Sequence, residues 1–244
     1  MPAPAGPSFM SRAFRRIAVL SPMREETEAV LALGTVGRRH DILGFEGYET
    51  TCFAHPVLVV RCGVGKVQSA MIAQRVIDEF DVDAIVVTGV AGALAPDLAP
   101  GDAVVARDVM QHDMDCTPIG FARGEIPFTG ERLFVCDETL VRLALTAPVK
   151  HRLRAGRILA GDQFITGSDR ETHRYLRDEL AGDAVEMEGA AVGQVCVRNK
   201  VPFVVVRTIS DRADGEAPVS FQQVLPMAAA NAAAITGCLL AGLS

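Results

Sequence analysis

The stretch Val185-Glu186-Met187-Glu188, which leads into Gly-Ala-Ala and the start of a helix, decides the fold. A second signal, Ser210-Asp211, closes a hydrophobic strand shortly afterwards. Acidic residues therefore stand at the ends of neighbouring secondary elements, where an α/β protein builds its ligand site. A carboxylate in such a place can accept hydrogen bonds from a sugar diol or hold a proton for a heterocyclic base.

The composition is that of one globular domain. The chain has 244 residues, 49% of them hydrophobic, and no Gly/Ser-rich or Pro-rich linker interrupts its middle. We expect a disordered, Pro/Ala-rich tail over residues 1–14 and one folded domain over residues 15–244. The net charge of −6 disfavours nucleic-acid binding, because that function needs a basic surface to meet phosphates.

The cysteines and the hydropathy pattern indicate a cytoplasmic protein. The six cysteines are scattered and form no Cys-x-x-Cys pair, which favours free thiols in a reducing compartment. No stretch reaches the roughly 20 apolar residues of a membrane span, so we expect no membrane association. The run His112-Asp113-Met114-Asp115-Cys116 is too compact to present metal ligands on one helical face, and we expect neither a metal nor another cofactor.

Short β-branched runs alternate with helical patterns along the chain, which predicts an α/β fold. The antiparallel character of Ile42–Phe53 adds a hairpin, so the predicted architecture is a single-domain, three-layer α/β/α fold with a central mixed, partly barrel-like sheet. The predicted strands are Arg16–Leu20, Val57–Arg61, Ala84–Thr88, Asp102–Ala106, Ala155–Ala160 and Phe203–Thr208. The predicted helices are Arg24–Leu33, Lys66–Phe80, Glu138–Ala147, Arg170–Leu180, Glu188–Arg198 and Phe221–Leu240.

Two glycine-bearing strand ends could approach a ligand, but neither matches a known phosphate cradle. Residues 62–66 lack the third glycine of a dinucleotide fingerprint, because Gln68 stands there, and the P-loop pattern fails at Val67. A tight strand-to-helix turn is the simpler interpretation. The second loop, residues 88–94, has Val90 where a phosphate site would gain from a hydroxyl donor, which weakens any phosphorolysis hypothesis.

The acids at the element ends allow two interpretations. Glu26 and Glu188 stand where a helix-start acid favours the helix dipole, and Asp211 follows Ser210 in a pattern typical of an N-cap. Alternatively, the three acids face one ligand and do chemistry. The recurrence of the pattern at Glu188 and Asp211, each after a strand, favours the second interpretation for these two acids without excluding the first. For Glu26 the sequence alone leaves both interpretations open.

Several separated motifs, in this order, resemble the purine nucleoside phosphorylase/uridine phosphorylase superfamily, and within it the 5′-methylthioadenosine/S-adenosylhomocysteine nucleosidase family. The resemblance runs from about Ile17 to the C-terminal helix and implies a nucleoside phosphorylase-like domain that forms a homodimer. The motifs that carry it are Gly63-Val64-Gly65-Lys66-Val67, Thr88-Gly89-Val90-Ala91-Gly92, Gly101-Asp102, His112-Asp113-Met114-Asp115, Gly161-Asp162-Gln163-Phe164-Ile165, Val185-Glu186-Met187-Glu188 and Val204-Val205-Val206-Arg207-Thr208-Ile209-Ser210-Asp211.

The resemblance also implies a role for individual residues around an adenine nucleoside. Glu26 matches the base that activates water, and Asp211 matches the acid that protonates purine N7. The residues that match substrate-binding positions are Gly92 near the substrate, Phe164 stacking on adenine, Ile165 reading the adenine edge, Met187 and Glu188 at the ribose, Arg207 supporting them, and Val64 and Phe221 in the 5′-alkylthio pocket. Phe128 lies near a loop that in the family closes over the neighbouring subunit's 5′ pocket.

The resemblance implies hydrolysis of the N-glycosidic bond of 5′-methylthioadenosine or S-adenosylhomocysteine, with release of adenine. Such cleavage needs a proton for the leaving purine and negative charge beside the oxocarbenium-like sugar. One alternative is a phosphorylase, or a nucleosidase for another adenosine derivative of the aminofutalosine or hopanoid-linked type. Another is a non-catalytic nucleoside-binding protein, and an oxidoreductase with a dinucleotide-binding fold is more distant for want of the fingerprint.

Overall fold

The computed structural model describes residues 14–165, 172–211 and 217–243, the last range without the side chains of residues 217–222. Ten strands within the described residues form one sheet. The strands are β1 (Ile17–Ser21), β2 (Thr35–Ile42), β3 (Phe45–Cys52), β4 (His55–Arg61), β5 (Ala84–Ala93), β6 (Ala103–Gln111), β7 (Phe134–Val135), β8 (Leu153–Ala160), β9 (Ala184–Glu186) and β10 (Phe203–Asp211).

Helices cover both faces of this sheet. The helices are α1 (Arg24–Leu31), α2 (Lys66–Phe80), α3 (Glu138–Ala144), α4 (Tyr175–Asp178), α5 (Gly189–Asn199) and α6 (Ala217–Ala241). One buried apolar cluster joins the sheet to α2 and α5, for example through Val76 and Val192. A second cluster joins the sheet to α1, α3 and α6 through residues such as Leu140 and Ile235. The predicted three-layer α/β/α arrangement is therefore confirmed.

Five strands close into a barrel. Their order is β10-β6-β8-β9-β5, and β5 pairs again with β10. The β6–β10 and β5–β9 pairs are antiparallel and the other pairs of the ring are parallel, so the sheet is mixed as predicted. Strands β1, β4, β3 and β2 extend from β5 as an open wing.

Strand β5 exchanges partners along one edge. Strand β1 pairs with it up to Val87, and β9 pairs with it from Gly92 onwards. The opposite edge is paired with β10 without a break from Ile85 to Ala91. No described strand pairs with residues 88–91 on the first edge, so the sheet splits there. In α/β sheets a split between strand directions is where a ligand site forms.

The structure moves the boundaries of several predicted elements. The antiparallel hairpin is present, but it spans Thr35–Cys52 and turns at Leu43-Gly44, where Asp41 Oδ1 accepts the Gly44 N–H at 2.9 Å. Strand β2 was missed because seven of its eight side chains are not buried and show no apolar alternation. The predicted helix Arg170–Leu180 is wrong in extent, since the described helix is only α4, and residues 170 and 171 lie outside the described part.

The structure bears on two predictions about the ends of the chain, the N-terminal tail and the C-terminal helix. Residues 1–13 of the predicted tail lie outside the described residues, while Phe14 is buried against the cluster under α6. Within α6 the segment Gln223–Ala241 has 19 residues and is long and apolar enough to cross a membrane by length and composition alone. Of the most apolar stretch of this segment, 56% is buried inside the fold, as in the core helix of a globular protein.

Candidate active site

A cavity of about 260 Å³ opens where β5 changes partners. Its wall includes the end of β1 at Pro22, the unpaired part of β5 at Val90, and the start of α5. The predicted site residues on this wall are Val64, Gly92, Phe164, Ile165, Met187, Glu188 and Asp211. The lining is mainly apolar with a few carboxylates, which suits a flat heterocycle joined to a polar sugar.

Glu26 and Arg207 lie behind this wall. Both side chains belong to fully buried residues, and the electrostatic coupling between them and Glu188 puts the three in one group. The side chain of Phe221 lies outside the described residues, although its backbone belongs to α6. Nine of the ten predicted site residues are thus described, and these nine gather around one cavity.

Burial raises the pKa of Glu26 to about 7, although the Arg207 guanidinium opposes the rise. Neither carboxylate oxygen meets a hydrogen-bond partner of good geometry among the described residues. A buried carboxylate without partners is costly, and such groups are a mark of functional sites. With a pKa near neutrality, Glu26 can take up a proton from water and release it again.

Arg207 is held between two carboxylates. Its Nη2 contacts Glu186 Oε2 and donates to Glu188 Oε2 at 3.1 Å. On the other side of the guanidinium, β5 passes so closely that a Cβ on Gly89 would overlap Arg207 Nη1. Glycine at this position therefore makes the room in which the cation sits.

Glu186 is the functional residue that sequence reasoning missed. Its carboxylate accepts the backbone N–H groups of Glu188 at 3.1 Å and Gly189 at 2.9 Å, in addition to its contact with Arg207. It thereby satisfies the first turn of α5 and fixes the guanidinium. The sequence did hold a signal, since Glu186 and Glu188 are two residues apart at a strand end and share a face. Nothing local in the sequence shows that both contact one arginine.

Glu188 is not a capping acid. It occupies the N-cap position of α5, yet its side chain makes no capping hydrogen bond. Instead, Oε1 accepts the Gly65 N–H at 2.9 Å and Oε2 accepts from Arg207. Burial raises the pKa of Glu188 above its usual value, while Arg207 opposes this rise and the nearby Glu186 adds to it. The side chain lies on the cavity wall with its charge balanced mainly by one cation.

Asp211 ends β10 just past a register irregularity with β5. Its Oδ2 accepts the Ser210 hydroxyl at 2.7 Å, and the residue is 6% exposed on the cavity wall. Helix α6 starts at Ala217, so Asp211 is not the residue immediately before that helix. The base loop, defined as Gly161–Ile165 after β8, contributes the half-exposed ring of Phe164 to the same cavity.

The described residues hold no group of three or more His, Cys, Asp and Glu side chains suited to a metal ion. What the arrangement offers is a carboxylate on the cavity wall at Asp211, a second at Glu188 with Arg207 behind it, and a buried acid at Glu26. Such a set can donate a proton on one side of a bound molecule and stabilise positive charge on the other.

The chain is similar to known nucleoside-cleaving proteins over most of its length. The sequence model of the family described as the phosphorylase superfamily matches residues 16–241. A 5′-methylthioadenosine/S-adenosylhomocysteine nucleosidase from Actinobacillus succinogenes is 36% identical over 230 residues, covering 93% of this chain and 99% of that protein. The nucleosidase of the same name from a Marinomonas species is 35% identical over 230 residues, covering 93% and 98%.

Solved structures agree with this relationship. The Neisseria meningitidis nucleosidase in complex with methylthio-immucillin-A superimposes with a TM-score of 0.88 at 32% identity, covering 93% of this chain and 99% of that one. The futalosine hydrolase of Helicobacter pylori superimposes with a TM-score of 0.86 at 32% identity, covering 96% and 99%. The chain belongs to the phosphorylase superfamily and, within it, to the 5′-methylthioadenosine/S-adenosylhomocysteine nucleosidase family.

Proposed function

We propose that the protein hydrolyses the N-glycosidic bond of 5′-methylthioadenosine and S-adenosylhomocysteine, releasing adenine and the thioribose product. The observation that carries the proposal is the cavity at the β5 split, which has Asp211 and Glu188 on its wall and Glu26 with Arg207 behind it. Membership of the nucleosidase family supports the same reaction. The protein is therefore an N-glycosidic hydrolase.

Asp211 acts on the leaving group. A purine leaves poorly as a bare anion, so a carboxylic acid that gives its proton to N7 lowers the barrier. The Ser210 hydroxyl donates to Asp211 Oδ2 at 2.7 Å and orients the carboxyl group on the cavity wall. Phe164 stacks on the adenine ring, and the backbone of Ile165, from the same loop, reads its edge.

Glu188 acts on the sugar. Its carboxylate grips the ribose hydroxyls, and its negative charge stabilises the oxocarbenium-like sugar as the bond breaks. Arg207 and Gly65 orient that carboxylate, and Met187 provides an apolar surface under the ribose. Gly92 lies at the substrate backbone contact, while Val64 and Phe221 belong to the 5′-alkylthio pocket.

Glu26 activates the attacking water. A base that is buried and has a pKa of about 7 exchanges protons readily near neutral pH. Water is a better nucleophile for this cavity than phosphate for two reasons. Val90 offers no hydroxyl donor, and the fully buried Arg207 already contacts two carboxylates that repel an anion.

A second candidate substrate is a futalosine-type nucleoside. The hydrolase of that name from H. pylori superimposes on this chain over nearly its whole length, so the fold accommodates either reaction. The exposed, apolar Val64 favours an alkylthio group at the 5′ position.

The protein acts as a cytoplasmic homodimer in methionine salvage. Its six cysteines are all free, as expected in a reducing compartment. Apolar side chains are exposed on α2 and in the segment after β6, namely Val67, Met71, Ile119 and Phe128, with Phe128 90% exposed. Surfaces of this kind are typical of subunit contacts.

The proposal is tested by incubating the protein with 5′-methylthioadenosine, with and without phosphate, while free adenine and the sugar product are identified. Asp211→Asn should reduce kcat at least about 100-fold while leaving affinity for methylthio-immucillin-A within about tenfold. Asp97→Asn, a change at an exposed acid paired with Arg152, serves as the matched control and should leave kcat unchanged. Full activity of Asp211→Asn would remove this residue from the mechanism, and a phosphorylated sugar product would replace hydrolysis by phosphorolysis.

A further inference from the structure

Lys66, the first residue of α2, has a partly buried charge that the proposed chemistry does not use. Its side chain is 16% exposed. The ammonium donates to Asp113 Oδ1 at 2.6 Å and to Gln111 Oε1 at 3.0 Å, both near the end of β6. A partly buried ion pair carries a desolvation cost, and this pair connects segments that are distant in the chain.

Asp113 and Lys66 are also joined through Asp162. The second oxygen of Asp113 accepts the Asp162 N–H at 3.0 Å, and Asp162 Oδ1 accepts the Lys66 N–H at 2.8 Å. The three residues therefore form a closed ring, which we name the Lys66 clasp. Although burial opposes it, the Lys66 ammonium and the Asp162 N–H hold the pKa of Asp113 below its usual value, so the aspartate is ionised.

The Lys66 clasp connects two segments whose neighbouring residues line the cavity. On one side, the preceding N–H, that of Gly65, donates to Glu188 Oε1 at 2.9 Å. Gly65 has a φ of 96°, which glycine tolerates and other residues do not, so this N–H is aimed by the backbone itself. On the other side, Asp162 belongs to the base loop, whose next residues, Gln163 to Ile165, line the cavity.

We propose that Lys66 is a positioning residue that sets the distance between the base loop and the ribose carboxylate of Glu188. The proposal rests on the proposed function, in which the base and the sugar of one nucleoside are held at these two places. The clasp joins segments that are 47 to 96 residues apart in the chain. Because these segments are distant along the chain, their separation depends on noncovalent contacts such as those of the clasp.

We expect loss of the clasp to weaken the binding and turnover of ligands that contact both the base loop and Glu188. Removing Lys66 leaves the partly buried carboxylate of Asp113 without its cation, so we expect the base loop to shift relative to α2. A misplacement of about 1 Å can lower a rate about 100-fold. Adenine alone occupies only the half of the cavity beside the base loop. Its affinity therefore does not depend on the distance between the base loop and Glu188.

The test compares Lys66→Met, Lys66→Arg and the control Arg75→Met, which removes a charge from the exposed part of the same helix. With 5′-methylthioadenosine, we expect kcat/KM of Lys66→Met to fall about 10- to 100-fold and Lys66→Arg to recover most of it, because arginine keeps the cation. Arg75→Met should stay within about twofold of the wild type. A kcat/KM of Lys66→Met within about threefold of the wild type would overturn the proposal.

A second measurement separates positioning from general damage. In Lys66→Met the Kd for adenine should change less than about threefold, whereas the Kd for methylthio-immucillin-A should rise at least tenfold. Equal losses for both ligands would mean that the clasp shapes the base half alone, and the proposal would be wrong. This comparison needs no turnover, so it decides the question even if the wild type fails to cleave 5′-methylthioadenosine, a failure that would count against the proposed function instead. Should Lys66→Met not fold, Asp113→Asn gives the same comparison with an isosteric change.

Discussion

At the scale of single residues, Glu25 and Glu26 show how much the tertiary environment decides. Both are acids in the first turn of α1, where either would favour the helix dipole. The structure leaves Glu25 exposed and buries Glu26 completely behind the cavity. Neighbouring identical side chains are thus placed in opposite environments, one in solvent and one in the protein interior.

The burial of Glu26 makes the stability of the protein depend on pH. Its pKa is about 7 in the fold against an ordinary value of 4.5, so between these values the folded state holds a proton that the unfolded state releases. Stability is therefore lost as the pH rises through this window, by an amount on the order of 3 kcal/mol when complete. Glu26→Gln cannot ionise and avoids this loss.

We expect Glu26→Gln to be as stable as the wild type near pH 4.5, to be more stable by up to about 3 kcal/mol near pH 8, and to lose nearly all hydrolytic activity. Urea unfolding at both pH values, together with an adenine-release assay, measures this. Glu25→Gln is the matched control and should show neither effect. A stability difference that does not change with pH would contradict the burial argument.

At the scale of elements, strong periodicity was enough for prediction and weak periodicity was not. Helix α2 has the predicted bounds Lys66–Phe80, because a continuous apolar stripe from Val67 to Phe80 marks it. Strand β9, with three residues, is too short for any pattern, although it completes the barrel beside the cavity. The convergence of Glu26, Glu188 and Asp211 was anticipated through the resemblance, whereas the link from Glu186 to Arg207 depends on two elements meeting.

Helix α3 offers a test of an element that stands apart from the chemistry. Its N-cap, Asp137, accepts the N–H groups of Thr139 at 2.9 Å and Leu140 at 3.1 Å. We expect Asp137→Ala to destabilise the fold by about 1 kcal/mol and Asp137→Asn by less, because asparagine still caps. Thermal unfolding measures the change. Neither variant should alter KM for 5′-methylthioadenosine, and a shift in KM would mean that α3 communicates with the cavity.

At the scale of the whole molecule, barrel closure depends on contacts that no local pattern reveals. The β5–β10 pairing joins Ile85 to Phe203, which lie 118 residues apart in the chain. Hydropathy shows that both strands are buried but not that they lie side by side. The mixed sheet was predicted from the order of elements and the hairpin, while the register that splits β5 at the cavity required the structure.

The proposed homodimer is also tested at this scale. Phe128 is 90% exposed, and its ring meets the edge of Phe121 at a centroid distance of 5.2 Å. We expect Phe128→Glu to shift the protein towards the monomer in sedimentation velocity and to raise KM for 5′-methylthioadenosine at least about threefold, because a charge there disfavours an apolar contact. Leu43→Glu, a change at an exposed residue of the hairpin turn, is the control. An unchanged dimer in Phe128→Glu would assign the interface to another surface.

The split in β5 leaves part of a central strand without strand pairing on one edge. On the edge that passes from β1 to β9, the amides of residues 88–91 that point away from β10 have no strand partner among the described residues. Their hydrogens should exchange with deuterium much faster than those of residues 85–87, although both stretches belong to one strand. Saturation with adenine should slow that exchange selectively. Hydrogen exchange at these few backbone amides would therefore measure whether the cavity is occupied.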